Sequence, residues 1–249
     1  MHISKPTHLL SISLVCRLRA AAQGDLAALR SAWQRAGRSW GQQGCTLSAH
    51  AAAGGHLAVL QWLHQNGCSW DWRVCPTAAK AGHLALLQWV RQKGCPWSSF
   101  TCTCAAREGH LAVLQWACQN GCDWSVYTCA AAAKGGHLPL LQWARQQNCP
   151  WDCKTTLEAA VNNHLPVLQW TRLQTPPCPW WSLQTEGVHH LSAAKPSTLM
   201  CLAQQGAPLP AEAQKVSRAT ATRLTHAYLA LRRLLPDEVV QHIVVLSLD

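Results

Sequence analysis

The sequence predicts an all-α solenoid of about seven helix-turn-helix repeats, and three observations predict it. His56, His83, His110, His137 and His164 recur every 27 residues, each followed by Leu and, six positions on, by Trp. An Ala pair precedes each of them, at 51/52, 78/79, 105/106, 132/133 and 159/160. Behind them Gly67, Gly94 and Gly121, with Asn148 at the equivalent place, are followed by Cys and then by Trp70, Trp97, Trp124 and Trp151. A word of this length copied in register marks an array in which no unit buries its apolar face alone, so neighbours stack into one continuous core.

Residues 1–15 form an N-terminal segment. Its apolar run, Leu9 to Val15, is too short to span a bilayer. Residues 1–24 carry Lys5, Arg17 and Arg19 and no acid, a composition shared with transit peptides, although the repeat pattern claims much of the stretch. A divergent first repeat, 16–44, holds Ala20-Ala21, Gly24-Asp25-Leu26 and Leu29 and ends at Gly37 and Trp40.

The regular repeats occupy 45–181, and each reads as two short helices. The first places Cys75, Ala78 and Ala79, or Cys129, Ala132 and Ala133, at i, i+3, i+4, a face of small side chains that another helix can approach closely. Gly82, Gly109 and Gly136 supply the left-handed backbone of a tight corner. The second helix spreads Leu138, Leu140, Leu141, Trp143 and Ala144 over an arc wide enough to touch its own partner and the next repeat. The His at its start is expected to cap it. A degenerate last repeat, 182–207, has helices around His189–Ala194 and Ser197–Gln205. Pro208 and Pro210 open a C-terminal helical tail, 208–249, with one basic amphipathic helix from Glu212 to Arg233.

Ala132-Ala133, Gly136-His137, Leu140-Leu141 and Asn120-Gly121-Cys122 resemble, in type and relative spacing, the words of ankyrin repeats, with Cys in place of Ala. The resemblance is to a short, Trp- and Cys-rich variant, because the period is 27 rather than the family's 33. The missing residues fall between the Gly-Cys ending and the next helix, where the family forms a β-hairpin finger. The resemblance therefore implies an ankyrin-like solenoid with little or no β-hairpin, in which Trp97 and Trp151 cap the core. It also implies a scaffold for protein–protein interaction, with the exposed side of each first helix lining a concave surface.

The chain carries 21 Lys plus Arg against 11 Asp plus Glu, a net charge of +10, which favours an acidic partner. On the implied concave surface, three positions before the His, stand Lys80, Arg107 and Lys134; six positions before it come His50, Thr77, Cys104, Ala131 and Glu158. These residues are the candidate binding face, since scaffold packing does not dictate positions that vary between copies. Arg91, Arg145 and Arg172, eight positions after the His, form a second basic row on the opposite helix.

Leu235, Pro236, Val239 and Ile243 resemble the opening of an F-box, which implies an alternative role: a substrate-recognition adaptor whose tail engages subunits of a cullin-type ubiquitin ligase. Nucleic-acid binding is a further alternative that charge and Trp content suggest, weakened because the Trp residues are repeated scaffold positions rather than a stacking platform.

No enzyme, metal or cofactor is expected. The pairs Cys68/Cys75, Cys95/Cys102 and Cys122/Cys129 are seven apart, wider than zinc usually wants, and suit core packing by free thiols. Residues copied in every unit are structural, since an active site is needed once. Fourteen Cys without a secreted-domain density point to the reducing cytoplasm or nucleus, with no membrane association.

Overall fold

The structure, a computed structural model, describes residues 7–36, 40 and 43–231. All regular structure among the described residues is helical. The chain falls into two compact units, 1–124 and 125–249.

The first unit holds four helix pairs: α1 (Thr7–Gln23) with α2 (Leu26–Arg35), α3 (Gln43–Ala53) with α4 (Leu57–Gln65), α5 (Val74–Lys80) with α6 (Leu84–Gln92), and α7 (Ser99–Arg107) with α8 (Leu111–Gln119). Helix α1 runs through position 15, from the segment upstream of the first repeat into that repeat. First helices pack side by side, α1 on α3, α3 on α5 and α5 on α7. The second unit continues with α9 (Val126–Lys134), α10 (Leu138–Gln146), α11 (Cys153–Val161) and α12 (Leu165–Leu173). A short 3-10 helix, Val188–Ala193, and α13 (Pro196–Gln204) make the degenerate pair, and α14 (Ala211–Leu231) packs on α13.

Short helices of seven to nine residues are marginal by themselves, so caps and packing must hold them. Ser98 accepts from the amide of Phe100, Ser125 and Thr128 form a capping box, and Asp152 accepts from Lys154 N–H at 2.9 Å. At the corner, Gly82 takes φ +76° while His83 N–H bonds Ala78 C=O at 3.0 Å, the closing bond of a Schellman motif. Asn148 and Asn163, at φ 61° and 60°, take glycine's place at the ends of α10 and α11.

The same layer recurs within each unit. Leu60, Leu87 and Leu114 in the first unit, and Leu141 and Leu168 in the second, are fully buried at one repeat position, as are the Ala pairs Ala78-Ala79 in the first unit and Ala132-Ala133 in the second. Each such Leu contributes about 1.5–3 kcal/mol of burial. Small residues on the first helix are what allow it to approach its neighbour this closely.

The recurring His does something the local sequence does not reveal. His56, His110 and His164 occupy N-cap positions, yet their side chains make no cap hydrogen bond. Their rings reach back one repeat instead. The Nε2–H groups of His56, His110 and His164 donate to the carbonyls of Ala22 (2.9 Å), Lys80 (3.0 Å) and Lys134 (2.9 Å), near the ends of the preceding first helices. Those carbonyls are left over where a helix stops, so the bond satisfies an orphan acceptor. The ring lies against the preceding corner glycine: a Cβ on Gly82 would come within 2.7 Å of His110, and one on Gly136 within 2.6 Å of His164. Glycine is required there twice over, by its positive φ and by the ring that fills the space of its side chain. This clasp replaces the expectation of local capping.

Trp does the equivalent work at the other edge. Trp70 meets Trp89, Trp97 meets Trp116 and Trp151 meets Trp170, all edge to face at 5.7–6.0 Å, so each repeat-ending indole covers the second helix of the next repeat. Trp97 and Trp151 thus close the core where the finger is missing. Trp33, Trp40 and Trp62 make the same contact as a triad at the first repeat.

Candidate functional site

The candidate face is built on the first helices. In α7, Phe100, Cys104 and Arg107 lie at i, i+4 and i+7 and therefore share one side of the helix over about 10 Å. In α5 the same register holds Arg73, Thr77 and Lys80, with Arg73 at the N-cap.

In the first unit this face gathers the predicted charges. Lys80 and Arg107 are exposed, and both pull on the half-buried Cys104 thiol, although burial outweighs them and pushes that thiol up. Thr77 is half-buried on the same side. His50 turns inward locally, its Nδ1–H donating to Thr46 C=O at 2.9 Å, and lies close enough to help hold the Asp71 carboxyl low.

In the second unit the face is different. Lys134 pairs with Glu158 at 3.4 Å, so the base and the acid of the candidate set largely satisfy one another. Ala131 is 4% exposed and offers no contact area.

The second basic row is spent on structure. The guanidinium groups of Arg91, Arg145 and Arg172 stack on Trp97, Trp151 and Trp180 at 4.1–4.3 Å, and each donates to the carbonyl of the repeat-ending Cys95, Cys149 or Cys178. In an earlier repeat His64 fills the same role by stacking on Trp70 at 4.9 Å.

The Cys pairs seven apart in sequence are not the pairs in space. The thiols of Cys75, Cys102 and Cys129 point at the carbonyls of Cys95, Cys122 and Cys149 across their own repeats. Hydrogen bonding to Cys95 and burial push the Cys75 thiol up, and hydrogen bonding to Cys118 and Cys122 with burial does the same to Cys102. Burial, helped by the neighbouring Asp152 and Cys153, pushes Cys178 up to about 12. Thiols held protonated in this way are poor nucleophiles and poor metal ligands. Among the described residues no group of three or more His, Cys, Asp or Glu is placed to hold a metal ion, and no helix is long and apolar enough to cross a membrane. Leu235, Pro236, Val239 and Ile243 lie outside the described residues.

No protein-family model matches the sequence, and no curated protein matches it. Among solved structures, the human ASB11 ankyrin repeat domain superposes with a TM-score of 0.50 at 17% identity, covering 61% of this chain and 80% of that one. The fold is that of an ankyrin repeat domain. Set against the ankyrin repeat, this 27-residue version joins consecutive pairs by short Cys-Pro-Trp or Cys-Asp-Trp links and uses indole contacts in place of a hairpin.

Trp72, Phe100 and Tyr127, which the repeat word does not mark, are 64%, 48% and 54% exposed. Phe100 and Tyr127 share one repeat position with Arg73 and Lys154, ten before the His. The usable signal was that this position varies between copies, as the basic positions do.

Proposed function

We propose that this chain is a protein-interaction scaffold that binds an acidic partner segment on the exposed faces of its first helices. The observation that carries the reading is the pair Lys80 and Arg107, on neighbouring helices with Cys104 held between them. A positive patch on a preorganised helical surface steers an acidic segment and fixes its register. The second unit, where Lys134 is partnered by Glu158, contributes less charge to such a contact.

Catalysis plays no part in this reading, because the recurring His are used in packing: His56, His110 and His164 clasp consecutive repeats and His83 lies against Gly55. Nucleic-acid binding is disfavoured because the repeated indoles pack edge to face on one another rather than standing open for bases.

The test reverses the two charges. K80E/R107E is expected to melt as the wild type does, since both side chains are exposed, and to lose the partners that wild type recovers at low salt. Retention of those partners by a cooperatively folded double variant would refute the assignment.

A further inference from the structure

We propose that Trp72 and Phe100 form an aromatic rail that seats the apolar anchor of the acidic segment, so that the surface reads an apolar residue and an acid three positions apart. The inference deepens the binding reading above and rests on it.

Burial is the starting point. Phe100 is the chain's only Phe and is 48% exposed, while Trp72 is 64% exposed. Trp72 is a Trp outside the repeat word; the repeat-word indoles Trp70, Trp89, Trp97 and Trp116 are half-buried against one another. A folding chain gains nothing by leaving two large rings in water side by side, and Trp and Phe are enriched in the cores of protein interfaces. The two rings lie 6.4 Å apart and tilted by 49°, so they touch and present one joint aromatic surface rather than a closed stack.

The backbone that carries the rail is well fastened. Trp72 sits on a turn fixed by its neighbours: the buried Asp71 carboxylate takes Arg73 Nε at 2.9 and 3.0 Å, Arg73 NH2 at 2.6 Å and the Arg73 backbone N–H at 2.8 Å. The Arg73 bonds hold the Asp71 carboxyl below its ordinary range. Phe100 sits in the first turn of α7, beside the Ser98 cap. A backbone set in place before a partner arrives has less freedom to lose on binding.

Geometry and charge then define the occupant. Phe100 and Arg107 are seven residues apart on one face, so the aromatic and basic rails run about 10 Å apart. The half-buried Thr77 and Cys104 form the floor between them. An extended chain covers about 10 Å in three residues. A peptide lying along α7 with an aromatic or large aliphatic residue against the two rings therefore brings the third residue onward to Lys80 and Arg107, where Asp or Glu is matched.

The test selects peptides from a displayed library of random 12-residue sequences on the full chain, then measures the selected peptides against variants by fluorescence anisotropy. The expected result is enrichment of an apolar residue with Asp or Glu three positions away. W72A/F100A should weaken these peptides by about 30-fold or more, as truncation of central aromatic anchors does. Both rings are exposed, so the variant should keep the wild-type melting curve. Enriched peptides that bind W72A/F100A as tightly as wild type overturn the rail. Failure of K80E/R107E to weaken acidic peptides, with the W72A/F100A loss intact, overturns the basic-face reading instead. Selection of no peptide, with concentration-dependent self-association that W72A/F100A removes, shows a second copy of the chain as occupant and overturns the proposal. Binding to phosphatidylcholine–phosphatidylserine vesicles in place of peptide overturns it too.

Discussion

Gly82 and Gly94 differ in one respect that makes their alanine variants informative. Both hold positive φ, +76° and +78°. A Cβ on Gly94 meets nothing within 4 Å, whereas one on Gly82 meets His110 Cε1 at 2.7 Å. Gly94→Ala therefore measures the left-handed strain alone, about 1–2 kcal/mol. Gly82→Ala adds the loss of the ring from its socket. That comprises the hydrogen bond to Lys80, about 1 kcal/mol, and roughly 1 kcal/mol of lost apolar contact. The expected total is about 3–4 kcal/mol. His110→Ala alone should cost about 2 kcal/mol for the same two contributions. Because the displaced ring cannot be lost twice, the double variant should cost about 2 kcal/mol less than the sum of the singles. Urea unfolding followed by helical circular dichroism on the wild type and these four variants yields all of these values. If Gly82→Ala and Gly94→Ala prove equal, or if Gly82→Ala and His110→Ala simply add, the clasp is not what holds these repeats together.

Other expectations are simpler to check. Arg91→Met keeps the aliphatic stem but loses the guanidinium over Trp97 and its bond to Cys95; a loss of about 1–2 kcal/mol should appear in the same unfolding assay. Asp71 is held below its ordinary 3.8 by Arg73. Its contribution is thus full above that pH and fades as pH falls through the lower folded value, so the melting-temperature gap between wild type and D71N should close in acid. Timed alkylation read by mass spectrometry should label exposed Cys16 first, with buried Cys75, Cys102, Cys129 and Cys178 protected until unfolding. Early labelling of Cys102 would contradict its burial.

The fold was largely legible because it is written five times. Repetition separates signal from accident, and the Ala pairs, corner glycines and buried Leu positions have local causes that spacing alone reveals. The partners of those words were not legible. Gly136 stands beside His137 in the chain, yet the ring filling its socket belongs to His164, and no local pattern points to a residue 28 positions away. The Arg row misled for a related reason: a periodic cation reads as surface charge unless one knows that an indole and an orphan carbonyl converge on it. The candidate face was half legible. The periodicity picked out Lys80 and Arg107, but the Lys134–Glu158 pair lies 24 residues apart in sequence, and Trp72 and Phe100 belong to no repeated word. Irregular residues are where a repeat protein carries its individuality, and a search for regularity passes over them.

The clasp also bears on how such a chain can lengthen. In the first unit the words around Gly55-His56 and Gly82-His83 contain both halves of the fastening, a socket at the corner glycine and a plug in the His that follows. A tandem copy of the gene segment thus arrives already fitted to the copy before it, with no compensating change needed elsewhere. Growth of that kind must stop where the next segment no longer supplies a plug. That is what happens at Asn163, where an amide side chain stands in the socket position and accepts the Lys195 backbone N–H at 2.5 Å instead of sheltering a ring. The array is thus modular in the genetic sense, and its terminus is marked by a residue that ends the inheritance of the joint.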